Sequence, residues 1–261
     1  QMKNRAANMM AMMQSEPQML ASSELSTALS DYPKGDVRYT PSMQERIEQI
    51  ENVTLDEVKQ VYQNQLSSVT GEIAIVGEFD TQPVLQAIDQ ALGGWETNTD
   101  YQPIIRNARR EMVGKKKEIN TPDKANAVFT AGLAFPLNES NADTVALELG
   151  NFILGGGTLS SRLGNRIRQK EGLSYGVSSS LSVPAQGTDS RFTIRAITNP
   201  ENMDAVEKAA MEELNRFIED GPTEEEVEDA KTAWLERQKV SRSSDSSIAG
   251  QIRSNLYLDR T

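Results

Sequence analysis

The hydrophobic and polar positions in the first hundred residues follow the period of α-helices. Residues 2–29 are rich in good helix formers, and Pro17 is expected to interrupt this helix. Two more helices are expected after capping boxes, in which a Ser or Thr and a Glu three residues later satisfy each other's backbone N–H groups. These pairs are Ser42/Glu45 and Thr54/Glu57. A helix over residues 80–92 is expected to end at Gly93.

One short apolar run interrupts this helical pattern. Residues 71–77, Gly-Glu-Ile-Ala-Ile-Val-Gly, are bounded by glycines and predict a buried strand. No other strand signal lies near this run, although a strand needs a neighbour for its backbone N–H and C=O groups. The stretch 95–110 has no period and predicts a linker.

Two-residue alternation returns after the linker. It predicts strands at 116–120 and 128–135, and a hairpin over 173–198 with its turn at Gln186-Gly187. Helices are predicted between and after these strands. Their approximate ranges are 142–153, 160–170, 203–217, 223–240 and 247–258. The helix after Pro222 begins with a third capping box, Thr223/Glu226.

This order of elements predicts an α+β fold, with helices packed on one face of a mixed, largely antiparallel sheet. Two domains are expected: residues 1–105, mostly helical with one strand, and residues 106–261. Gln1 begins within helical sequence and Thr261 follows no closing signal. We therefore expect the chain to be part of a longer protein. In the chain alone, we expect 71–77 to pair with the sheet of the second domain.

The composition excludes several kinds of chemistry. The 261-residue chain has a net charge of −11 and one tight basic run, Lys115-Lys116-Lys117, so a nucleic-acid partner is not expected. It contains no His and no Cys, which excludes a Ser-His-Asp triad and a zinc site of imidazole or thiolate ligands. No stretch approaches the ~20 apolar residues that cross a bilayer, and no signal peptide is visible. Carboxylate chemistry, or a Mg²⁺ or Ca²⁺ site, remains possible.

The run Gly155-Gly156-Gly157 lies between two predicted helices. A phosphate-binding loop needs the pattern G-x-x-x-x-G-K-[ST], and a dinucleotide fingerprint needs a preceding strand. Neither condition is met, so phosphate binding is not expected. The run is either a flexible turn or a loop that faces a substrate.

Arg168 and Tyr175 flank a predicted helix-to-strand turn at Gly172. Arg supplies five donors, and Tyr supplies one donor beside a flat apolar ring. If they converge, two such side chains can hold a peptide by its backbone carbonyls. Spacing alone leaves another interpretation open, in which Arg168 is a surface partner of Glu171 and Tyr175 is a core residue beside Val177.

Longer segments carry a resemblance to a known family. Residues 149–177 contain the pattern Gly-Gly-Gly…Ser-Arg-Leu…Arg-x-Lys-Glu-Gly-Leu-x-Tyr, and residues 53–59 and 71–80 look like the end of a family repeat. The chain resembles, over nearly its whole length, the pitrilysin/insulinase family of inverted-zincin metallopeptidases, with repeats similar to those of LuxS and the processing peptidases.

The resemblance implies four α+β repeats in two halves that close around a peptide, with zinc held by H-x-x-E-H and a distal Glu in the first repeat. It implies that Arg168 and Tyr175 bind the substrate backbone. It also implies that Gly155, Gly156 and Gly157 form a glycine-rich loop that handles substrate. By the same resemblance, 1–105 is the end of one repeat and 106–261 is an incomplete following repeat.

The chain departs from the family pattern because it has no H-x-x-E-H. The resemblance therefore implies a non-catalytic, substrate-binding C-terminal region of a zinc metalloendopeptidase. No cofactor is expected in this chain, which alone is expected to be inactive. Zinc is expected in a zinc-bearing N-terminal half or partner subunit, and the expected substrate is a peptide. The alternative is a non-proteolytic structural subunit of the same fold, like the core proteins of respiratory complexes. Exported bacterial relatives suggest the periplasm.

Overall fold

The computed structural model describes residues 1–97, 99–108, 113–157 and 160–260. The chain forms two compact units, Gln1–Glu51 with Ile104–Trp234, and Asn52–Pro103 with Leu235–Thr261. The domain boundary expected near residue 105 lies next to Ile104, where the chain re-enters the first unit. Residues 1–51, however, group with the second half of the sequence. The assignment of the two halves to successive repeats remains a prediction.

The helices form where their start signals predict them. Pro17 separates the first two, and each capping-box Glu donates its backbone N–H to the hydroxyl of Ser42, Thr54 or Thr223 at 3.2 Å. The helices are α1 Met2–Met13, α2 Pro17–Ala28, α3 Met43–Asn52, α4 Leu55–Gln65, α5 Thr81–Leu92, α6 Thr144–Asn151, α7 Met203–Asp220, α8 Glu224–Ser241 and α9 Asp245–Tyr257. In the part of the chain that the structure describes, no helix is long and apolar enough to cross a membrane.

In the described part of the chain, three antiparallel strands form the sheet. They are β1 Ala127–Pro136, β2 Ser174–Ser182 and β3 Asp189–Thr198, in the order β1-β3-β2. β2 and β3 are the predicted hairpin. β3 is central, so that Ala196 pairs with Phe129 of β1 on one side and with Val177 of β2 on the other.

The core lies on one face of this sheet. It consists of Leu154, Leu163, Ile167, Ile194, Ala196, Val206, Ala209 and Ala210. Phe129 and Val177 pack against it from the flanking strands, and α7 closes it. The α+β class with an antiparallel sheet is thereby confirmed. One helix, α2, lies on the other face of the sheet, whereas helices were expected on one face only. There Leu25 of α2 faces Gly132 of β1.

Two of the strand predictions are wrong. Residues 71–77 and 116–120 form no ladder with any strand among the described residues. Without a neighbouring strand, an extended segment has no partners for its backbone groups. The expected pairing of 71–77 with the sheet is therefore also wrong. The segment 116–120 is held by ion pairs of its side chains, since Lys116 pairs with Glu207 at 2.7 Å and Lys117 pairs with Glu24.

The predicted linker 95–110 contains residues 98, 109 and 110, which lie outside the described chain. Its described residues form neither helix nor strand, as expected. Residues of this stretch fix the β2–β3 connection, because the Thr188 backbone N–H donates to the Arg106 carbonyl at 3.0 Å. Gly187 lies at φ +78° in this turn. A Cβ there would come within 2.2 Å of the same carbonyl, so a glycine is required.

Candidate functional site

The run of three glycines, for which the sequence predicts a flexible turn or a substrate-facing loop, begins within a helical segment. α6 continues into a π-helical turn, Phe152–Gly156, in which Gly155 is buried. A Cβ on Gly155 would lie 2.6 Å from the backbone nitrogen of Ser179 in β2. This glycine is therefore explained by the close approach of the turn to the sheet. Gly156 and Gly157 are partly exposed.

A second π-helical segment, Gly164–Lys170, carries the arginines that precede Tyr175. In a π-helix the backbone bonds join residues five apart rather than four. The Glu171 N–H accordingly donates to the Arg166 carbonyl at 3.1 Å. The segment ends with a bond between residues six apart, in which the Leu173 N–H donates to the Ile167 carbonyl at 2.9 Å. Gly172, at φ +62°, then reverses the chain into β2.

Arg162 anchors the start of this segment. Its guanidinium donates to both carboxylate oxygens of Glu226 in α8, at 2.6 and 2.7 Å, and to the Gly221 carbonyl at 3.0 Å. The same group lies 5.0 Å from the ring centroid of Phe217. The Arg162 hydrogen bonds hold the pKa of Glu226 down to about 2, from an ordinary 4.5, and the Thr223 N–H adds to this effect.

Arg166 is also held by carboxylates. Its Nε donates to Glu171 at 3.1 Å, its Nη2 donates to Glu212, and its Nη1 lies 3.6 Å from the buried Glu213. The suggested ion pair between Arg168 and Glu171 is thus not observed. Because the segment is π-helical, the residue five positions earlier faces Glu171.

Arg168 and Tyr175 are both exposed. Arg168 forms no ion pair or hydrogen bond with any described residue. Tyr175 is 66% exposed, and its hydroxyl donates to Asn199 Oδ1 at 3.1 Å. The alternative interpretation of Tyr175 as a core residue is therefore wrong. The two side chains flank the turn at Gly172, as expected, and present donors and an aromatic ring to solvent.

The residues present do not fit a zinc site. The chain has no imidazole or thiolate, and no group of three or more carboxylates among the described residues is arranged to hold a metal ion. The candidate site supplies cationic, phenolic and backbone donors.

One cavity of about 400 Å³ lies elsewhere in the first unit. It is lined by residues that include Tyr32, Lys115, Asp189 and Arg191. Asp189 begins β3, whereas Tyr175 lies beside the other end of that strand, ten residues or about 30 Å away. The cavity is therefore separate from the candidate site.

The fold agrees with what comparison with known proteins shows. The chain belongs to the family described as "Peptidase M16 inactive domain", whose model matches residues 52–233. This confirms the resemblance to the pitrilysin/insulinase metallopeptidases and to their C-terminal, non-zinc half.

Two curated relatives match most of the chain. The non-peptidase homolog YmxG of Helicobacter pylori is 25% identical over 214 residues, which are 81% of this chain and 48% of that protein. An uncharacterized zinc protease of Streptomyces coelicolor is 26% identical over 184 residues, 69% of this chain and 39% of that protein. The chain thus spans half or less of the length of these relatives.

Solved structures share the fold. The peptidase M16 inactive domain from Pseudomonas fluorescens has a TM-score of 0.71 and 23% identity, covering all of this chain and 60% of that one. A chain of complex III2 from Candida albicans has a TM-score of 0.72 and 15% identity, covering 98% of this chain and 60% of that one. At these identities the likeness concerns the fold.

Proposed function

We propose that this inactive M16 domain binds the backbone of a peptide substrate through Arg168 and Tyr175. The zinc and the catalytic residues would then belong to an N-terminal half or a partner subunit. The turn at Gly155, Gly156 and Gly157 lies on the substrate side in this proposal, with Gly155 serving to pack the turn on β2. The whole protein would be a zinc metalloendopeptidase. We also propose a periplasmic location, which rests on the family resemblance alone.

The contrast among three arginines supports this proposal. Arg162 and Arg166 are held by carboxylates of α7, α8 and the turn. Arg168, on the same segment, has no partner among the described residues. Its donors are therefore free to meet an acceptor from outside, beside an exposed tyrosine ring. Peptide carbonyls are acceptors that every substrate sequence offers, so such a site would read extended backbone rather than particular side chains.

A second candidate function is a scaffold without proteolytic activity. It is favoured by the relative described as a non-peptidase homolog and by the fold shared with a complex III2 chain. A scaffold gives no special role to Arg168 and Tyr175. The two functions therefore differ in what substitution of these residues does to peptide binding.

Fluorescence anisotropy with labelled β-casein, an unfolded polypeptide, tests the proposal. Arg168→Ala and Tyr175→Ala are each expected to weaken binding. For Arg168, the loss of hydrogen bonds from a charged donor, at about 1.5–3 kcal/mol, corresponds to roughly 10- to 150-fold in affinity. Lys170→Ala is the matched control, because it removes an exposed cation from the same segment and is expected to leave the affinity unchanged.

Four results would contradict the proposal. Wild-type affinity in either Arg168→Ala or Tyr175→Ala would contradict the proposed pair and favour the scaffold, as would the absence of casein binding by the wild type. An equal loss in Lys170→Ala would indicate general charge attraction. Casein hydrolysis by this chain alone with added Zn²⁺ would overturn the non-catalytic assignment.

A further inference from the structure

β2 contains an irregularity at the residue that carries the candidate tyrosine. Ser174 pairs with Thr198 of β3, and Gly176 pairs with the next residue, Ile197, so Tyr175 is the extra residue of a β-bulge. From Val177 onward the strands pair one to one, and Val177 packs against the core. In a regular strand, residues two apart share a face. Tyr175 would then point towards the core with Val177, but it is 66% exposed.

The hydroxyl of Ser174 closes this bulge. Ser174 is only 7% exposed, and its Oγ accepts the Gly176 N–H at 3.1 Å. The same oxygen lies 2.8 Å from the Gly176 carbonyl and 2.7 Å from the Ile197 carbonyl. A hydroxyl has one hydrogen, which it donates to one of these carbonyls at a time. The side chain thus bonds to the strand on one side of the bulge and to β3 on the other.

Asn199 holds the other end of the tyrosine. It follows the last residue of β3 and precedes Pro200, which restricts it to extended backbone, observed at φ −70° and ψ 144°. From there its Oδ1 accepts the hydrogen bond of the Tyr175 hydroxyl. The ring is consequently fixed by the bulge at its backbone and by an amide at its hydroxyl.

We propose that Ser174 and Asn199 are positioning residues for Tyr175. Ser174 turns the side chain from the core side of β2 to solvent by stabilising the bulge. Asn199 sets the direction of the hydroxyl. Bulges beside functional sites commonly redirect one side chain in this way. The structural part of this inference rests on the bulge geometry, and its consequence for peptide binding rests on the proposed function of Tyr175.

A double-mutant cycle separates positioning from general stability. The variants are Ser174→Ala, Tyr175→Ala, the double variant, and Ser180→Ala, an exposed serine of the same strand as control. Ser174→Ala is expected to weaken casein binding roughly fivefold, which corresponds to the ~1 kcal/mol of one hydrogen bond. In the Tyr175→Ala background it is expected to have no further effect, and Ser180→Ala is expected to bind as the wild type does.

Nitration of Tyr175 by tetranitromethane, followed by peptide mass spectrometry, reports the ring's exposure independently of binding. The rate is expected to fall severalfold in Ser174→Ala and to stay unchanged in Ser180→Ala. Wild-type nitration in Ser174→Ala would overturn the role of Ser174. So would an equal loss of casein binding in the wild-type and Tyr175→Ala backgrounds. If Tyr175→Ala binds casein normally, the proposed function fails, and nitration alone decides the positioning role.

Asn199 provides a second test at a partly exposed position, which remains usable if Ser174→Ala folds poorly. Asn199→Ala removes the acceptor and is expected to weaken casein binding about as much as Tyr175→Phe does. Asn199→Asp retains an acceptor oxygen and is expected to restore binding. Equal affinities for Asn199→Ala and the wild type would overturn the role of Asn199.

Discussion

Three arginines within seven positions have different surroundings. Arg162 and Arg166 are four residues apart and turn towards α7 and α8, whereas Arg168 faces solvent. All three are cations by sequence, and α-helical spacing predicts that Arg168 is the one that forms an ion pair with Glu171. The assignment fails because it assumes an α-helical period, and the π-helical turn places Arg166 opposite Glu171.

The pair Arg162–Glu226 makes stability depend on pH. Because the folded-state pKa of Glu226 is about 2 and its ordinary value is 4.5, the pair stabilises the fold fully above pH 4.5. This stabilisation is lost as the pH falls from 4.5 towards 2, where the carboxylate becomes protonated.

Glu226→Gln tests this pair while keeping the capping box, because Gln also accepts the Thr223 N–H. We expect it to lower the free energy of unfolding by roughly 1.5–3 kcal/mol at pH 7, the range for hydrogen bonds to charged groups. The difference from the wild type is expected to shrink at pH 3, measured by urea unfolding at both pH values. Glu225→Gln, at an exposed neighbouring position, is the control. A Glu226→Gln midpoint equal to the wild type at pH 7 would show that the pair contributes nothing.

At the scale of elements, the helices are predictable and the π-helical turns are not. Capping boxes mark helix starts by local hydrogen bonds, so Ser42, Thr54 and Thr223 could be identified from sequence alone. A π-helical turn has no comparable local signal, since it depends on packing with the sheet. The bulge at Tyr175 is likewise set by contacts with β3 and by a serine whose type alone indicates nothing.

Gly155→Ala tests how closely the first π-helical turn packs on β2. The added methyl would lie 2.6 Å from the Ser179 nitrogen and 2.8 Å from Leu163 Cδ1, so backbone has to move. Overpacking of this kind costs about 1–3 kcal/mol, which we expect as a loss in the free energy of urea unfolding. Gly114→Ala is the control, because nothing lies within 4 Å of its Cβ position. Equal stability of the two variants would show that the turn yields without cost.

At the scale of the whole molecule, buried side chains are unevenly distributed. All residues of the described core belong to the unit formed by 1–51 and 104–234. Among the described residues of 52–103 and 235–260, none is buried. The apolar composition of residues 71–77 is typical of a strand, which is why the sequence predicts one there. It could not supply the neighbouring strand, because pairing is a property of two segments and the described chain offers no second one.

The unpaired segment 71–77 has a consequence for solubility. Its Ile73 and Ile75 side chains are 50% and 46% exposed, beside backbone groups that pair with no strand among the described residues and could pair with another copy. Glu72 at its start, and Glu78 and Asp80 just after it, repel such a copy at low ionic strength. Salt screens this repulsion, since the Debye length falls from about 10 Å at 0.1 M to about 3 Å at 1 M.

We therefore expect the protein to self-associate more at 1 M than at 0.1 M NaCl, measured by sedimentation velocity. Ile75→Lys is expected to abolish this increase, because a charge in the segment opposes strand pairing between copies. Val69→Lys, an exposed position outside the segment with the same charge change, is expected to retain it. If both variants behave alike, association proceeds through another surface.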